Sequence, residues 1–506
     1  MPAVDRATRF IARLGLLSLA ALLAWHACRF VANSIRAVRD PYELDYGEGI
    51  VWFQTQQLFA GKAYGDIHHF PAVVFHYTPL FHFLSGLGAA MGFDGLAAGR
   101  TVSLLSTAAM VVMIGAIVRH VLLQSQADRR TANICAVVGG LTLLLAYPVK
   151  FWAPMMRVDM LAFALALAGV YAALRAIRQP RWIHAAAAFF VASVFAKQTM
   201  VAAPGAVFLV LLVYRPRTAL AGIATCLVAG LIAVAALTYA THGGFLAHVF
   251  LYNINRFDVG RIDKIEIITL SHLFLVIVAL IGVGISASAV RRFVAQRRTA
   301  APPDVAAAML VAYLLLTTIM LLLVLKLGSS ANYFIEWFAV LAIFVGIALR
   351  DPVATALGGK PLTSSLPSPI GMFAVFGLCA QSLMITPTQY PAEYFAARAP
   401  AMARLTDMVR NADGPVISDD MVVLLRSGRP VLWEPAIFTE LAATGGWDER
   451  PFIKLIEQRK FPLIIVFQAR GDKLFSQRFS PAVGAAIERS YTRQEKVAGF
   501  TIHRPR

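Results

Sequence analysis

Charged residues are scarce in this chain: of its 506 residues only 15% are Asp, Glu, Lys or Arg, whereas 58% are hydrophobic. The apolar residues occur in repeated runs of about 20, which is enough helix to cross roughly 30 Å of hydrocarbon. This composition is typical of a polytopic α-helical membrane protein.

Acidic residues are fewer still, with 28 Asp and Glu against 46 Lys and Arg, for a net charge of +18. The basic residues mostly stand in short clusters between apolar runs, as signals for membrane orientation do. We therefore expect no nucleic-acid partner.

Cysteine is also rare, and the chain lacks a nucleotide-binding loop. The four cysteines stand apart in apolar segments and form neither a CxxC pattern nor a recognisable disulfide framework: Cys28, Cys135, Cys226 and Cys379. No GxxxxGK[ST] sequence is present, so a soluble nucleotide donor is not indicated.

Eleven transmembrane helices are predicted, beginning with a first apolar run that is retained, because it lacks a small-x-small cleavage site. The approximate spans are 10–31, 97–119, 131–148, 158–175, 182–196, 199–214, 218–240, 270–290, 305–326, 333–350 and 369–386. The apolar run at 78–93 is predicted to lie along the membrane surface. If it crossed, the basic clusters between Arg119 and Arg298 would fall outside, against the orientation bias.

This topology places the N-terminus in the cytoplasm of a bacterium and residues 32–96 in a large outer loop of the inner membrane. The loop is expected to carry interfacial helices, because apolar and polar residues alternate after Tyr46. The transmembrane domain is predicted at 1–387. Residues 388–506 change to short apolar runs alternating with helical patterns, which predicts a small periplasmic α/β domain.

Ionisable and polar residues gather on the predicted outer face, where each has an energetic cost near hydrocarbon. They are Asp45 and Glu48 in "ELDYGEG", Arg157 and Asp159 in "MMRVDM", Lys197 and Gln198 in "FAKQTM", Arg256 in "NINRFD", and Asn332 and Glu336 in "ANYFIEW". Ion pairs at helix ends account for any one of them. The whole one-sided set favours a cavity with a catalytic carboxylate and cations suited to a phosphate.

A donor that reaches such a cavity from the lipid is a polyprenyl-phosphate sugar, because its tail stays in the bilayer while its phosphate and sugar sit at the interface. A carboxylate can deprotonate the acceptor hydroxyl that attacks the anomeric carbon, and Arg or Lys can stabilise the departing phosphate.

The chain resembles the GT-C superfamily of glycosyltransferases that use lipid-linked sugars, in particular the bacterial branch similar to protein O-mannosyltransferases and to the aminoarabinose transferase. The resemblance covers about residues 10–350 and rests on the order of "LDYGEG", "YTPLFHFLSGLGAAMGFDGLAAGRTVSLLS", "RVDMLAFALALAG", "FAKQT" and "NYFIE".

This resemblance implies that Asp45 is the catalytic base and that Glu48 is a helper or a metal ligand. It also implies that Arg157 and Lys197 bind the donor phosphate. We add Tyr77 of "YTPL" to the substrate-binding candidates. Some relatives use a divalent cation, Mg²⁺ or Mn²⁺, for which Asp45 and Glu48 are the candidate ligands.

The predicted function is therefore inverting transfer of a hexosyl or pentosyl group from a polyprenyl-phosphate donor to an acceptor hydroxyl on a lipid, glycan or protein at the periplasmic face. The alternative is a transporter or flippase of lipid-linked sugars. Such a transporter often has helices interrupted by Gly or Pro in two corresponding halves, and no such pairing is visible in the sequence.

Overall fold

The computed structural model describes residues 2–253, 255–358, 368–386, 390–468 and 470–505. In the membrane-spanning part the α-helices are α1 (Pro2–Arg39), α2 (Glu48–Phe59), α3 (Leu80–Ala90), α4 (Gly95–Gln124), α5 (Arg129–Thr142), α6 (Tyr147–Trp152), α7 (Asp159–Ala176), α8 (Trp182–Ala196), α9 (Ala202–Tyr214), α10 (Pro216–Ala240), α11 (Gly244–Leu246), α12 (Asp263–Ser271), α13 (Leu273–Gln296), α14 (Pro302–Met320), α15 (Phe334–Ala348), α16 (Arg350–Ala356) and α17 (Ser368–Met384). Short 3₁₀ segments lie at Leu143–Leu145, Val259–Ile262, Arg297–Thr299, Leu321–Leu325 and Ala331–Tyr333, and a π-helical turn at Ala247–Leu251.

The C-terminal part combines further helices with four short strands. They are α18 (Ala392–Arg410), β1 (Val416–Ser418), α19 (Met421–Arg426), α20 (Pro435–Ala443), α21 (Arg450–Glu457), β2 (Leu463–Val466), α22 (Lys473–Arg478), α23 (Pro481–Ser490), β3 (Arg493–Val497) and β4 (Phe500–Arg504). The sheet has the order β1-β2-β4-β3, with β1 and β2 parallel and the other pairs antiparallel. The predicted α/β domain is confirmed. The predicted boundary between Pro387 and Thr388 lies outside the described residues.

Each of the eleven predicted spans coincides with a helix. Within the described ranges, seven helical stretches are long and apolar enough to cross a membrane by length and composition. They are α1, α4, α7, α10, α13 and α14, the last two each with the 3₁₀ turn that follows it, and the stretch Ala331–Ala356, which contains α15 and α16. The predicted spans at 182–196, 199–214 and 369–386 coincide with the shorter apolar helices α8, α9 and α17, and 131–148 with α5 and the 3₁₀ turn after it. The total of eleven crossings stays a prediction.

The loop between α1 and α4 contains α2 and α3, as the sequence predicts. The run 78–93 forms α3, whose 11 residues give a helix of about 16 Å, too short for a hydrocarbon core of about 30 Å. Local backbone and side-chain features mark the starts of α2 and α4. Gly47 precedes α2 with φ of +103°, and the Asp94 carboxylate caps α4 by accepting a hydrogen bond from the Ala97 amide at 3.0 Å.

Helix α15 occupies the centre of the bundle, because every residue from Phe334 to Ala348 is buried. An apolar helix without a polar face is expected in such a position. Helix α10 is at the opposite extreme: of its 25 residues, Ala219 and Gly222 are the buried ones, and large apolar side chains such as Leu227 and Leu231 are exposed, toward lipid.

The C-terminal domain sits against the loop between α1 and α4. The Ala72 amide donates a hydrogen bond to the Leu432 carbonyl at 2.8 Å, and Arg398 Nη2 lies 3.1 Å from the Asp40 carboxylate. Residues 40–96 and this domain therefore lie together at one end of the bundle, called the loop end below.

Candidate functional site at the loop end of the bundle

The Glu48 side chain is a fixed junction of the structure. Its carboxylate accepts hydrogen bonds from the Leu44 amide at 2.7 Å, the Met156 amide at 2.7 Å, Arg100 Nε at 2.8 Å and Arg100 Nη2 at 2.7 Å. Both charged side chains have an exposed fraction of 0%. Burial alone raises the pKa of Glu48, but the Arg100 charge and these hydrogen bonds outweigh it and hold the pKa below its usual value.

Arg100 completes the junction by donating from Nη1 to the Ala37 carbonyl at 2.5 Å and the Asp40 carbonyl at 2.6 Å. It thereby joins the end of α1 to the start of α4. Sequence reasoning did not select Arg100 as a functional residue, although it is the arginine of the quoted "AAGR" segment. That position within a family motif was the available signal.

Asp45, three residues before Glu48, has different surroundings. Its side chain is 41% exposed, and its Oδ2 lies 3.8 Å from Arg157 Nη2. Burial by the surrounding protein raises the pKa of Asp45, and the Arg157 charge only partly opposes this. The result is an accessible carboxylate that is more basic than an ordinary aspartate, which is the property a general base needs.

Arg157 is held against the same loop. It donates from Nη2 to the Tyr46 carbonyl, and its guanidinium carbon lies 5.5 Å from the centre of the Trp152 ring. A methyl group on Gly47 would stand 2.7 Å from Arg157 Nη1. Glycine at position 47 thus meets two needs, a positive φ and the close approach of a guanidinium.

Beside Arg157, three predicted residues from three separate segments form one buried network. The Asp159 Oδ1 accepts hydrogen bonds from Lys197 Nζ at 2.6 Å and Asn332 Nδ2 at 2.7 Å. Trp152 Nε1 donates to the other oxygen at 3.1 Å, and Lys197 Nζ lies 4.6 Å from the centre of the Tyr333 ring. The start of α7, the end of α8 and the turn before α15 bring these groups together.

The segment before α3 covers this network. Gln198 donates from Nε2 to the His76 carbonyl at 2.7 Å, and the Tyr64 hydroxyl donates to the Tyr77 carbonyl at 3.0 Å. Burial, followed by the charge of Asp159, raises the pKa of Tyr77 to about 12. Its phenol is therefore neutral at physiological pH and able to donate a hydrogen bond.

Two of the predicted residues have other partners. Arg256 makes a two-point contact with Glu440 of the C-terminal domain, from Nη2 to Oε1 at 3.0 Å and from Nε to Oε2 at 3.1 Å. The Glu336 carboxylate is buried within α15 and accepts a hydrogen bond from the Tyr313 hydroxyl at 2.8 Å. Arg256 therefore links the two parts of the chain, and Glu336 is engaged inside the bundle.

The C-terminal domain brings further charged groups to the Asp45 loop, and sequence reasoning missed them. The Arg478 guanidinium stands 4.1 Å from the centre of the Tyr46 ring, and its Nη1 lies 3.2 Å from Asp419 Oδ2. The Ala436 amide donates to the Tyr46 hydroxyl at 3.3 Å. More than 370 residues separate Tyr46 from these groups of the C-terminal domain in sequence, so no local pattern could have joined them.

Two buried carboxyl groups meet where the domain touches the loop. Glu43 Oε1 accepts from the Gly47 amide at 2.6 Å and the Gly49 amide at 3.3 Å, while Asp420 caps α19 through the Val423 amide at 2.9 Å. Burial raises the pKa of both groups, that of Asp420 to about 6. The charge of Asp420 raises the pKa of Glu43 further, whereas the hydrogen bond between the two groups partly lowers that of Asp420. Sharing a proton avoids two adjacent buried negative charges.

The side chains available as metal ligands do not favour the predicted divalent cation. Across the described ranges there is no group of three or more His, Cys, Asp or Glu side chains able to hold a metal ion. Glu48 is one of the two predicted ligands, and its oxygens already accept four hydrogen bonds. Asp45 and Glu48 therefore do not form a ready two-carboxylate site.

An apolar groove of about 690 Å³ lies on the side of the bundle, beside segments that carry this site. Its walls come from α2, α3, α8 and α10, and include Phe59, Leu80, Phe195 and Leu237. Pro79, at its edge, follows Thr78, whose hydroxyl donates to the Val194 carbonyl at 2.9 Å. We call it the α8 groove. Pro79 is two residues from Tyr77 and Phe195 is two residues from Lys197, so the groove adjoins segments that carry the Lys197 network.

Comparisons with known proteins place this arrangement within one fold. ArnT from Cupriavidus metallidurans in the apo state is similar over 94% of this chain and 96% of its own, with a TM-score of 0.58 and 13% identity. ArnT bound to undecaprenyl phosphate is similar over 94% of this chain and 97% of its own, with a TM-score of 0.56 and 15% identity. The apo oligosaccharyltransferase from Archaeoglobus fulgidus is similar over 89% of this chain and 69% of its own, with a TM-score of 0.53 and 12% identity.

No protein-family model and no curated protein matches the amino-acid sequence. The structural likeness nevertheless extends over nearly the whole chain. It confirms the fold class predicted from the sequence: the chain shares the fold of these neighbours, a helical membrane protein with juxtamembrane helices and a C-terminal domain.

Proposed function

We propose that this membrane protein transfers a sugar from a polyprenyl-phosphate donor to an acceptor hydroxyl, with Asp45 as the general base. The observation that carries the proposal is the pairing of an accessible, raised-pKa carboxylate with a cation 3.8 Å away, in a loop whose helices α2 and α3 line an apolar groove. A transferase of this kind needs a base, a phosphate site and a route for the lipid, and each has a candidate here.

The donor tail is assigned to the α8 groove, whose lining is almost entirely apolar. ArnT, a fold neighbour over nearly its full length, binds undecaprenyl phosphate, which supports a lipid donor of this chemistry. Arg157 and Lys197 then lie where the phosphate would stand. Lys197 is buried with Asp159, and its charge would be shared between that carboxylate and the phosphate.

In the proposed reaction the Asp45 carboxylate removes the proton from the acceptor hydroxyl while its oxygen forms a bond to the anomeric carbon. The bond from that carbon to the phosphate oxygen breaks, and its electron pair leaves with the lipid phosphate. Arg157, supported by Lys197, stabilises the charge that develops there. A single displacement of this type inverts the anomeric configuration.

Other residues of the site are positioning residues in this proposal. Glu48 and Arg100 fix the ends of the loop that carries Asp45, and Gly47 lets Arg157 approach it. Tyr77, Gln198 and Asn332 are assigned to the sugar, because a neutral phenol and two amides suit hydroxyl recognition. The Oε1 of Gln198 and the Oδ1 of Asn332 have no hydrogen-bond partner among the described residues. The transferred sugar is a hexose or a pentose, and the acceptor is a lipid, glycan or protein.

The proposed location is the inner membrane of a bacterium, with the N-terminus in the cytoplasm and the loop end in the periplasm. The basic clusters that follow Arg119 support this orientation. The domain from residue 388 then covers the site from the periplasmic side, and its contacts with the Asp45 loop support that role.

The test is to reconstitute the full chain in liposomes with a panel of labelled polyprenyl-phosphate sugars and an extract containing acceptors. The proposal expects the label to move to an acceptor with inverted configuration. Label that crosses the bilayer while still on its lipid carrier would establish the flippase alternative and end the transferase proposal.

A further inference from the structure

A second apolar groove lies between α1, α4 and the end of α5, with a volume of about 590 Å³. We call it the α1 groove. On α1 it extends from Ala27 to Arg39, which is about 18 Å along a helix axis. Half of a hydrocarbon core of about 30 Å is close to that length. The groove therefore matches one leaflet of the bilayer, the leaflet at the loop end.

The walls of the α1 groove suit a hydrocarbon chain with a polar group at one end. Phe30, Val31, Leu104 and Val111 line it. Ser34 also lines it, near the loop end. This serine is 4% exposed, and its hydroxyl has no hydrogen-bond partner in the part of the chain that the structure describes. A buried hydroxyl facing a groove without a partner indicates a polar ligand atom nearby.

The mouth of the α1 groove is cationic. Arg36 and Arg39 stand in the last turn of α1, both exposed, and Arg39 lines the groove. Neither forms an ion pair with a carboxylate of the described residues, while the neighbouring Asp40 is paired with Arg398 at 3.1 Å. Under the proposed orientation, arginines at this end run against the usual charge bias, so they need a local reason.

We propose that the α1 groove binds an anionic glycerophospholipid of the loop-end leaflet, with one acyl chain along the groove and its phosphate between Arg36 and Arg39. Guanidinium groups match phosphate oxygens in geometry and charge. A groove as long as one leaflet fits an acyl chain better than a polyprenyl tail, which is much longer. The polyprenyl tail is assigned to the α8 groove.

Binding at this place would act on the start of the Asp45 loop. Arg100 holds the Ala37 and Asp40 carbonyls, which flank Arg39. A lipid phosphate on Arg36 and Arg39 therefore ties the end of α1 to the membrane surface at the point where the loop begins. We expect the bound lipid to stabilise the folded chain, independently of any sugar transfer.

The test uses the purified full chain in detergent, titrated with phosphatidylglycerol or with zwitterionic phosphatidylcholine, and reads bound lipid by native mass spectrometry and stability by thermal unfolding. The wild type should retain phosphatidylglycerol and unfold at a higher temperature with it. The double variant Arg36→Gln/Arg39→Gln should bind phosphatidylglycerol at least about tenfold more weakly.

A second variant and a control keep the result interpretable. Ala108→Phe fills the groove from an exposed position on α4 and should lose the lipid while keeping both arginines. Arg129→Gln/Arg130→Gln removes two exposed arginines at the other end of the bundle and should bind like the wild type. Equal binding of both phospholipids, unchanged binding by either groove variant, or displacement by undecaprenyl phosphate would overturn the proposal.

Discussion

Asp45 and Glu48 lie three residues apart and carry the same charge, yet their surroundings give them different chemistry. Glu48 is enclosed with Arg100 and keeps a pKa below its usual value. Asp45 is open on one side and has a raised pKa because burial outweighs the Arg157 charge. Of the two, Asp45 alone has an oxygen that a substrate can reach.

The Glu48 junction predicts a stability effect. Glu48→Gln leaves the Arg100 guanidinium buried without its charge partner, and losses of this kind lower the free energy of unfolding by about 3–5 kcal/mol. The apparent thermal midpoint of the purified protein should fall. Glu457→Gln, at an exposed pair with Arg489, is the matched control. An unchanged midpoint in the Glu48 variant would contradict the structural role.

Gly47 predicts an effect on activity that can be separated from backbone strain. Gly47→Ala adds a methyl group 2.7 Å from Arg157 Nη1 at a φ of +103°, whereas Gly61→Ala adds one in open space at a φ of +68°. Both carry the strain of a left-handed conformation, about 1–2 kcal/mol. The transfer rate should fall strongly only in the Gly47 variant. Equal rates in the two variants would show that the contact with Arg157 is unimportant.

At the scale of elements, the first loop and the C-terminal domain act on the same residues. Tyr46 is held by Arg157 on its carbonyl, by Arg478 on its ring and by the α20 amide of Ala436 on its hydroxyl. The residue after Asp45 is thus fixed by both parts of the chain. The domain consequently does more than cover the site, since it supplies a positive charge near the base.

This arrangement predicts a shift in pH dependence. Asp45 must be deprotonated to act. Burial raises its pKa, and the charges of Arg157 and, to a smaller extent, Arg478 lower it. Removing that charge in Arg478→Gln raises the pKa further, so the acidic limb of the pH–rate profile should move to higher pH. Arg478→Lys keeps the charge and should move it less. Arg470→Gln, at an exposed pair, should leave it in place.

The sequence predicted elements better than their connections. A long apolar run forms a helix whatever the packing of the bundle around it. The positions of α1, α4, α13 and α15 in the sequence therefore follow from their apolar runs. The topology predicts that Lys197, Asp159 and Asn332 gather with other polar residues on the outer face, whereas their hydrogen bonds to one another come from the structure. Arg256 shows the limit: its pattern resembled theirs, but its partner Glu440 lies 184 residues away.

At the scale of the whole molecule, the account requires one orientation in the membrane. A reporter fused after Arg119 should be cytoplasmic, and one fused at the C-terminus should be periplasmic, because the basic clusters between the helices favour the inside. Protease accessibility of the C-terminal domain in intact spheroplasts gives an independent reading. A periplasmic signal from the Arg119 fusion would place the Asp45 loop on the wrong side for a lipid-linked donor.

The folded chain also explains why the missed residues were invisible in sequence. Asp419 and Arg478 belong to a different domain from Asp45, and so does Glu434, a buried carboxyl group close enough to Arg157 for its pKa to be affected. Each looks like an ordinary residue of a small α/β unit. Burial raises the pKa of Glu434 to about 8, although the charge of Arg157 opposes this. Nothing adjacent to Glu434 in the sequence suggests a perturbed group. Their relation to the loop depends on the docking of two domains, which no local pattern encodes.

The central claim is that Asp45 removes a proton from the acceptor during sugar transfer. The most direct measurement compares single-turnover transfer by the wild type, Asp45→Asn and the control Asp66→Asn, whose carboxylate is exposed beside His69. The account predicts that Asp45→Asn binds the labelled donor normally but transfers it about 10²–10⁴-fold more slowly, while Asp66→Asn behaves as the wild type. Transfer by Asp45→Asn at the wild-type rate would contradict it.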